Sequence, residues 1–174
     1  VAATISTTIS ELRAADLDCL TVSGSGTGTC RYDAESGVYT EIQAGSYVVM
    51  DVEYGDLGLS FEHSLFLWSQ VMSTPSDDFV VIDAGLKAFT VERGMPKIVV
   101  SPGSKWDGIT VTAVSDEHSI IDIGEAECVP RIGEKMRLIL PHCDPAVNLH
   151  DWLVCICEGK VIDLWPISAR GPGI

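Results

Sequence analysis

From residue 32 onward the sequence is a train of short apolar segments rich in Val and Ile, each closed by a turn-forming pair. VYTEIQ, SYVVMDVEY, HSLFLWSQVMS, FVVIDAG, KIVVS, GITVTAVS, SIIDI, KMRLILP, DWLVCIC and KVIDLWPI follow one another, separated by Ala44-Gly45, Pro-Gly, Asp-Gly, Ile-Gly and Glu158-Gly159 pairs. Short β-branched runs bounded by glycine and proline read as strands. Residues 32–174 are therefore expected to form a β domain with little helix. HSLFLWSQVMS is apolar at successive positions, as expected of a strand buried on both sides. DWLVCIC and KVIDLWPI, flanking Glu158-Gly159, predict a hairpin.

The first 31 residues differ. TISTTISELRAADLD has the pattern of a short amphipathic helix. LTVSG reads as a buried strand that runs directly into SGTGT, a Gly/Thr turn. Helix, strand and glycine-rich loop in that order belong to an α/β unit. The expected fold is mostly β, with an α/β piece in front and no linker between them.

Composition narrows the function. Against 25 Asp+Glu stand only 11 Lys+Arg, for a net charge of −14. Phosphate neutralisation needs a basic face, so nucleic acid is excluded as a partner, and the charge repels anionic membrane surfaces. No apolar run is long enough to span a bilayer. The opening VAATISTTIS lacks a secretory pattern and an initiator Met, so the chain is expected to be cut from a longer protein. Six cysteines without a CxxC pair predict reduced thiols in a cytoplasmic compartment.

Three motifs can carry chemistry. Ser23-Gly24-Ser25-Gly26-Thr27-Gly28-Thr29 can bring backbone N–H groups and hydroxyls to a phosphate, or it can be a surface turn. Gln43-Ala44-Gly45-Ser46-Tyr47 is a hairpin turn that could add N–H donors to the same clamp. In Pro141-His142-Cys143-Asp144-Pro145, an extended backbone points His142 and Asp144 to one face and Cys143 to the other. An imidazole nitrogen and a carboxylate suit Mn²⁺, Mg²⁺ or Zn²⁺. The alternative is an exposed turn held by two prolines. Asp116-Glu117-His118 reads as a solvated turn, and His63 as a satisfied core histidine. Trp68, Trp106, Trp152 and Trp165 read as core residues, and Cys155 and Cys157 as inert thiols of a buried strand.

These motifs in this order resemble the D-threonine aldolase and D-serine dehydratase family. The resemblance rests on TVSGSGTGTCRYDAESGVYTEIQAGSYVVMDVEYG, FVVIDAGLKAFTVERGMP, LPHCDPAVNLHDWLVC and LWPISARG. It implies an alanine-racemase-like fold: the last βα piece of a (β/α)₈ barrel in residues 1–31, then a β domain with a metal site in residues 32–174. It implies pyridoxal 5'-phosphate held by Gly26, Thr27, Gly28, Gly45 and Ser46 with Tyr54 beside it, and a divalent metal on His142 and Asp144. The dehydratase branch carries His-x-Cys at the metal, so His-x-Asp implies the aldolase branch and Mn²⁺ or Mg²⁺ ahead of Zn²⁺. The family's Schiff-base lysine lies near the start of the barrel, and none of Lys87, Lys97, Lys105, Lys135 or Lys160 takes its position.

The expected activity is cleavage of a D-3-hydroxy-amino acid to glycine and an aldehyde, in a homodimeric cytoplasmic parent enzyme. Dehydration of D-serine or 3-hydroxyaspartate on the same scaffold is the rival reading. A non-catalytic metal-binding β module is the alternative from outside enzymology.

Overall fold

The computed structural model describes residues 1–100 and 103–171. The chain divides into two compact units, Val1–Met50 with Tyr54–Glu62, and Asp51–Glu53 with His63–Ile174.

The first unit begins with helix α1, Ala2–Ala14, and continues through strand β1, Ser23–Gly24, helix α2, Cys30–Glu35, and strand β2, Glu41–Ile42. β1 and β2 pair in parallel, Ser23 with Glu41 and Gly24 with Ile42, with α2 between them. This is a small βα-β unit, as the glycine-rich turn after a strand suggests. LTVSG is not buried, however: Leu20 is 82% exposed, and no residue of α1 is buried. Parallel strands are buried only when neighbours and helices cover both faces, and β1 has one neighbour two residues long.

SYVVMDVEY is not a strand either. Its first residues form a 3₁₀ turn, Ser46–Val48, and its last begin the short helix α3, Val52–Gly55. Ser46 accepts the N–H groups of both Val49 and Met50, and Met50 is buried with a φ of 56°. A left-handed residue breaks the alternation a strand requires. Gln43-Ala44-Gly45-Ser46-Tyr47 therefore does not join two hairpin strands.

The second unit is built on six antiparallel strands: β3 (Leu67–Ser73), β4 (Phe79–Ile82), β5 (Lys97–Ile98), β6 (Thr110–Val114), β7 (Ser119–Asp122) and β8 (Lys135–Ile139). They are ordered β5-β8-β3-β4-β7-β6, and the end strands β5 and β6 also approach each other, so the sheet curls towards closure. Its inner face is apolar: Val80, Ile82, Phe89, Ile121 and Leu138 are completely buried. β3 is buried on one face only. Ser69 and Val71 point inward, while Trp68 and Met72 are exposed. Trp68 lies opposite Arg137 on β8, and the guanidinium sits 5.9 Å from its ring, with Phe66 on Arg137 at 5.1 Å. An aromatic face over a cation is stable in water, which explains an outward tryptophan where a core residue was expected. Trp152 and Trp165 are also exposed, and Trp106 alone packs against the core.

After helix α4, Cys143–Val147, the chain forms the hairpin β9 (Trp152–Cys157) and β10 (Lys160–Pro166). Glu158 and Gly159 have φ of 49° and 74°, the left-handed pair of a type I′ turn. The hairpin matches the expectation, its burial does not: β10 is exposed throughout, and Cys157 is exposed beside a half-buried Cys155. The pairing register places Trp152, Val154, Ile156, Val161, Leu164 and Pro166 on one side.

The segment joining β4 to β5 is anchored by Gly85. A Cβ there would lie 2.6 Å from the His118 nitrogen and 2.8 Å from the Asp116 carbonyl carbon. The close approach lets Leu86 and Lys87 donate N–H groups to the carbonyls of Ser115 and Asp116, both at 2.9 Å. Ser119 adds a buried hydroxyl bond of 2.6 Å to the Ala84 carbonyl, and Phe89 inserts into the core. Gly85→Ala would press a methyl group into backbone atoms that have no rotamer to yield. Overpacking of this kind costs about 1–3 kcal/mol, so urea unfolding should show a loss of that size, and an unchanged midpoint would contradict the packing described.

Candidate functional site

The two Gly/hydroxyl turns meet within the first unit. Thr27 is buried, and its Oγ1 accepts the N–H of Tyr47 at 3.1 Å, tying the first turn to Gly45-Ser46-Tyr47. Tyr54 closes one side: a Cβ on Gly28 would lie 3.4 Å from its ring and 3.2 Å from Leu57. A Cβ on Gly26 or Gly45 would meet nothing within 4 Å, so both face open space. Among the described residues, the N–H groups of Gly26, Thr27, Gly28, Gly45 and Ser46 donate to no protein acceptor. Adjoining turns with unpaired N–H donors and room before them are the donor chemistry of an anion cradle. The set fits a phosphate.

In the second unit, β8 runs into Pro141 and ends at His142, whose φ of −150° and ψ of 124° are extended. The chain then turns into α4. Asp144 therefore does not share an extended strand with His142, but stands on the first helical turn. Cys143 and Ala146, three positions apart, are both buried, and that helical spacing replaces the expected extension. The side chains still converge: His142 Nε2 lies 3.0 Å from Asp144 Oδ2. Cys143 points into the core, as expected.

The other imidazole nitrogen is also engaged. His142 Nδ1 lies 2.8 Å from Glu92 Oε1. Burial alone would lower the imidazole pKa, but the bonds to Glu92 and Asp144 and their negative charge raise it above the ordinary value. The Thr90 side chain, followed by His142, holds the Glu92 carboxyl below the usual carboxylate range. Ionised carboxylates only accept hydrogen bonds. The 3.0 Å approach of Nε2 to Asp144 is therefore favourable only with a positive centre between them, either a proton or a metal cation. Among the described residues no group of three His, Cys, Asp or Glu side chains forms a closed cage. A nitrogen and an oxygen together fit a hard divalent cation.

Glu92 is the site residue that sequence reasoning misses. It lies 50 positions from His142, in a turn closed by the Gly94 N–H on the Val91 carbonyl, and no spacing rule connects them. The weaker candidates have structural roles. Glu117 forms a 2.6 Å ion pair with Lys87 at the turn that receives Gly85, and the His118 carbonyl closes that turn by accepting from Ser115. A ring nitrogen of His63 meets the Asp51 carbonyl at 3.0 Å.

Comparison with known proteins decides the family. Residues 64–156 match the model of the serine dehydratase domain. The chain belongs to the serine dehydratase domain family. Members similar to it include D-threonine aldolase of Arthrobacter sp., 48% identical over 92% of this chain and 42% of that protein. The 3-hydroxy-D-aspartate aldolase of Paracoccus denitrificans is 40% identical over 87% of this chain and 40% of that protein. The crystal structure of D-threonine aldolase from Filomicrobium marinum superposes with a TM-score of 0.89 at 36% identity, covering 97% of this chain and 46% of that one. This serine dehydratase domain chain thus spans less than half the length of these three relatives. Its architecture is the mostly β, alanine-racemase-like one that the resemblance implies.

Cys143 sits between His142 and Asp144 and is 4% exposed. Burial, with the charges of Asp51 and Asp144, pushes its thiol up to about 12. A neutral, buried thiol is neither nucleophile nor metal ligand. Mass spectrometry of the native chain treated with iodoacetamide near neutral pH should find Cys157 alkylated and Cys143 unmodified. Rapid labelling of Cys143 would remove this reading of the motif.

Proposed function

We propose that this chain forms the metal-carrying β domain (residues 32–174) and the last barrel piece (residues 1–31) of a lyase dependent on pyridoxal phosphate and a divalent cation. The enzyme cleaves D-3-hydroxy-amino acids to glycine and an aldehyde, in the manner of D-threonine aldolase. The observation that carries the reading is the 3.0 Å convergence of His142 Nε2 and Asp144 Oδ2 beside a buried Cys143. Similarity to aldolases of D-threonine and 3-hydroxy-D-aspartate supports it.

When bound, pyridoxal phosphate supplies an electron sink and the cation supplies Lewis acidity towards the substrate's 3-hydroxyl. The residues of this chain bind and orient. The N–H groups of Gly26, Thr27, Gly28, Gly45 and Ser46 would hold the phosphate, with Tyr54 flanking them. His142 would contribute nitrogen from a partly covered position, and Asp144, with its side chain 78% exposed, would contribute oxygen from the solvent side. This pair favours Mn²⁺ or Mg²⁺ over Zn²⁺.

Lys87 pairs with Glu117, Lys105 with Glu134 and Lys135 with Gln70, and the family resemblance puts the Schiff-base lysine near the start of the barrel. We therefore place the Schiff-base lysine and the proton-accepting base outside this chain, in a cytoplasmic homodimer. Alone, the 174 residues supplied with pyridoxal phosphate, Mn²⁺ and D-threonine should release no glycine.

In the full-length enzyme, His142→Ala or Asp144→Ala should lower cation-dependent turnover by more than about 100-fold while cofactor absorbance persists. The products distinguish the readings. Glycine with an aldehyde supports the aldolase. Ammonia with a 2-oxo acid, the outcome for a dehydratase, would overturn it.

A further inference from the structure

The two carboxylates on His142 compete for one proton, and the outcome decides whether the ring can bind a cation. A neutral imidazole carries a single N–H. If that hydrogen is on Nε2 it donates to Asp144, and both proposed ligands are consumed by each other. If it is on Nδ1 it donates to Glu92, and Nε2 and Asp144 are both left as lone-pair donors. The observed distances are 2.8 Å to Glu92 and 3.0 Å to Asp144.

We propose that Glu92 is a positioning residue that holds the His142 proton on Nδ1 and so keeps the Nε2–Asp144 pair open for a divalent cation. The inference rests on the metal reading above and extends it to a residue which touches neither cation nor substrate.

The geometry around Glu92 supports a fixed role. Its turn is anchored on both sides. Upstream, Gly85 locks the segment to the β6–β7 turn, Phe89 is buried, and a ring nitrogen of His150 meets the Ala88 carbonyl at 2.8 Å. On the other side, Arg93 grips Glu53 through Nη1 at 2.9 and 3.0 Å. The Glu92 side chain is 45% exposed, so the bond to His142 is made by placement and not by enclosure. Glu92 also reaches the ring on the edge opposite Asp144, which rules it out as a third ligand on the same cation. Carboxylates behind metal-binding imidazoles fix the ring and raise its basicity, and their loss typically weakens metal affinity about 10–100-fold.

The test uses the whole chain without substrate or pyridoxal phosphate. Mn²⁺ alone is titrated, with free ion followed by electron paramagnetic resonance. Glu92→Ala should raise the dissociation constant about 10–100-fold. Glu92→Gln, whose amide oxygen can still accept from Nδ1, should fall between the two. Glu11→Gln removes an equal charge from the exposed face of α1 in the other unit and should leave the constant unchanged.

In parallel, ¹⁵N spectra of the metal-free imidazole are recorded above the pH range in which the ring is charged. The unaltered protein should show the proton on Nδ1, and Glu92→Ala should move it to Nε2. Affinity and tautomer both indifferent to Glu92 would overturn the positioning role while leaving the metal reading intact. Absence of Mn²⁺ binding by the unaltered protein would sink both.

Discussion

The second unit depends on one place where two backbones approach too closely for a side chain. Gly85 accepts the β6–β7 turn against its own Cα, and five hydrogen bonds follow: across to that turn through Leu86, Lys87 and Ser119, and within the Gly85 loop from the N–H groups of Ala88 and Phe89 to the Gly85 carbonyl. This fixes a loop that would otherwise pay the full entropy of ordering. Phe89 then plugs the curled sheet, and three residues on Glu92 meets His142. The His142–Asp144 pair is thus positioned from two directions. β8 and α4 deliver His142 and Asp144, and the Gly85 loop delivers Glu92.

The chemistry of the site is one of imbalance. Two acceptors face a single imidazole, and the arrangement is satisfied only by a positive charge at the ring's outer edge. Such a site is not a stabilising ion pair in the usual sense, because exposed pairs contribute little. In the proposed metal reading its significance would be selectivity, a proton giving way to a hard divalent cation. A thiolate in the same position would select a softer ion. Here the cysteine of the motif is turned into the core by the helix that presents Asp144.

Much of the fold was readable because strand alternation and turn chemistry are local. β3, β4 and β6 to β10 appear where the apolar segments stand, and Glu158-Gly159 forms the expected turn. The convergence of His142 with Asp144 was also readable, although a helix start and not an extended strand produces it. What was not readable depends on partners distant in sequence. Met50 takes a left-handed conformation that no propensity demands, and it ends a segment patterned like a strand. Trp68 is outward because Arg137 lies across the sheet from it, 69 positions away by number. Glu92 gains its meaning only when the β4–β5 loop is folded back. Single-residue chemistry identifies the candidates, and tertiary neighbours decide which of them have roles.

The β9–β10 hairpin presents a continuous apolar face, Trp152 and Val154 being 56% and 54% exposed and Leu164 54%. Two strands alone are marginal in water, and a patch of this kind attracts its own kind. The chain's charge of −14 opposes that attraction. The two forces differ in range and in their response to salt. Electrostatic repulsion fades beyond about 8 Å at physiological ionic strength, whereas burial of apolar surface does not weaken with salt. Ionic strength therefore tunes the balance at this face: added salt screens the charge repulsion and leaves the apolar attraction in place.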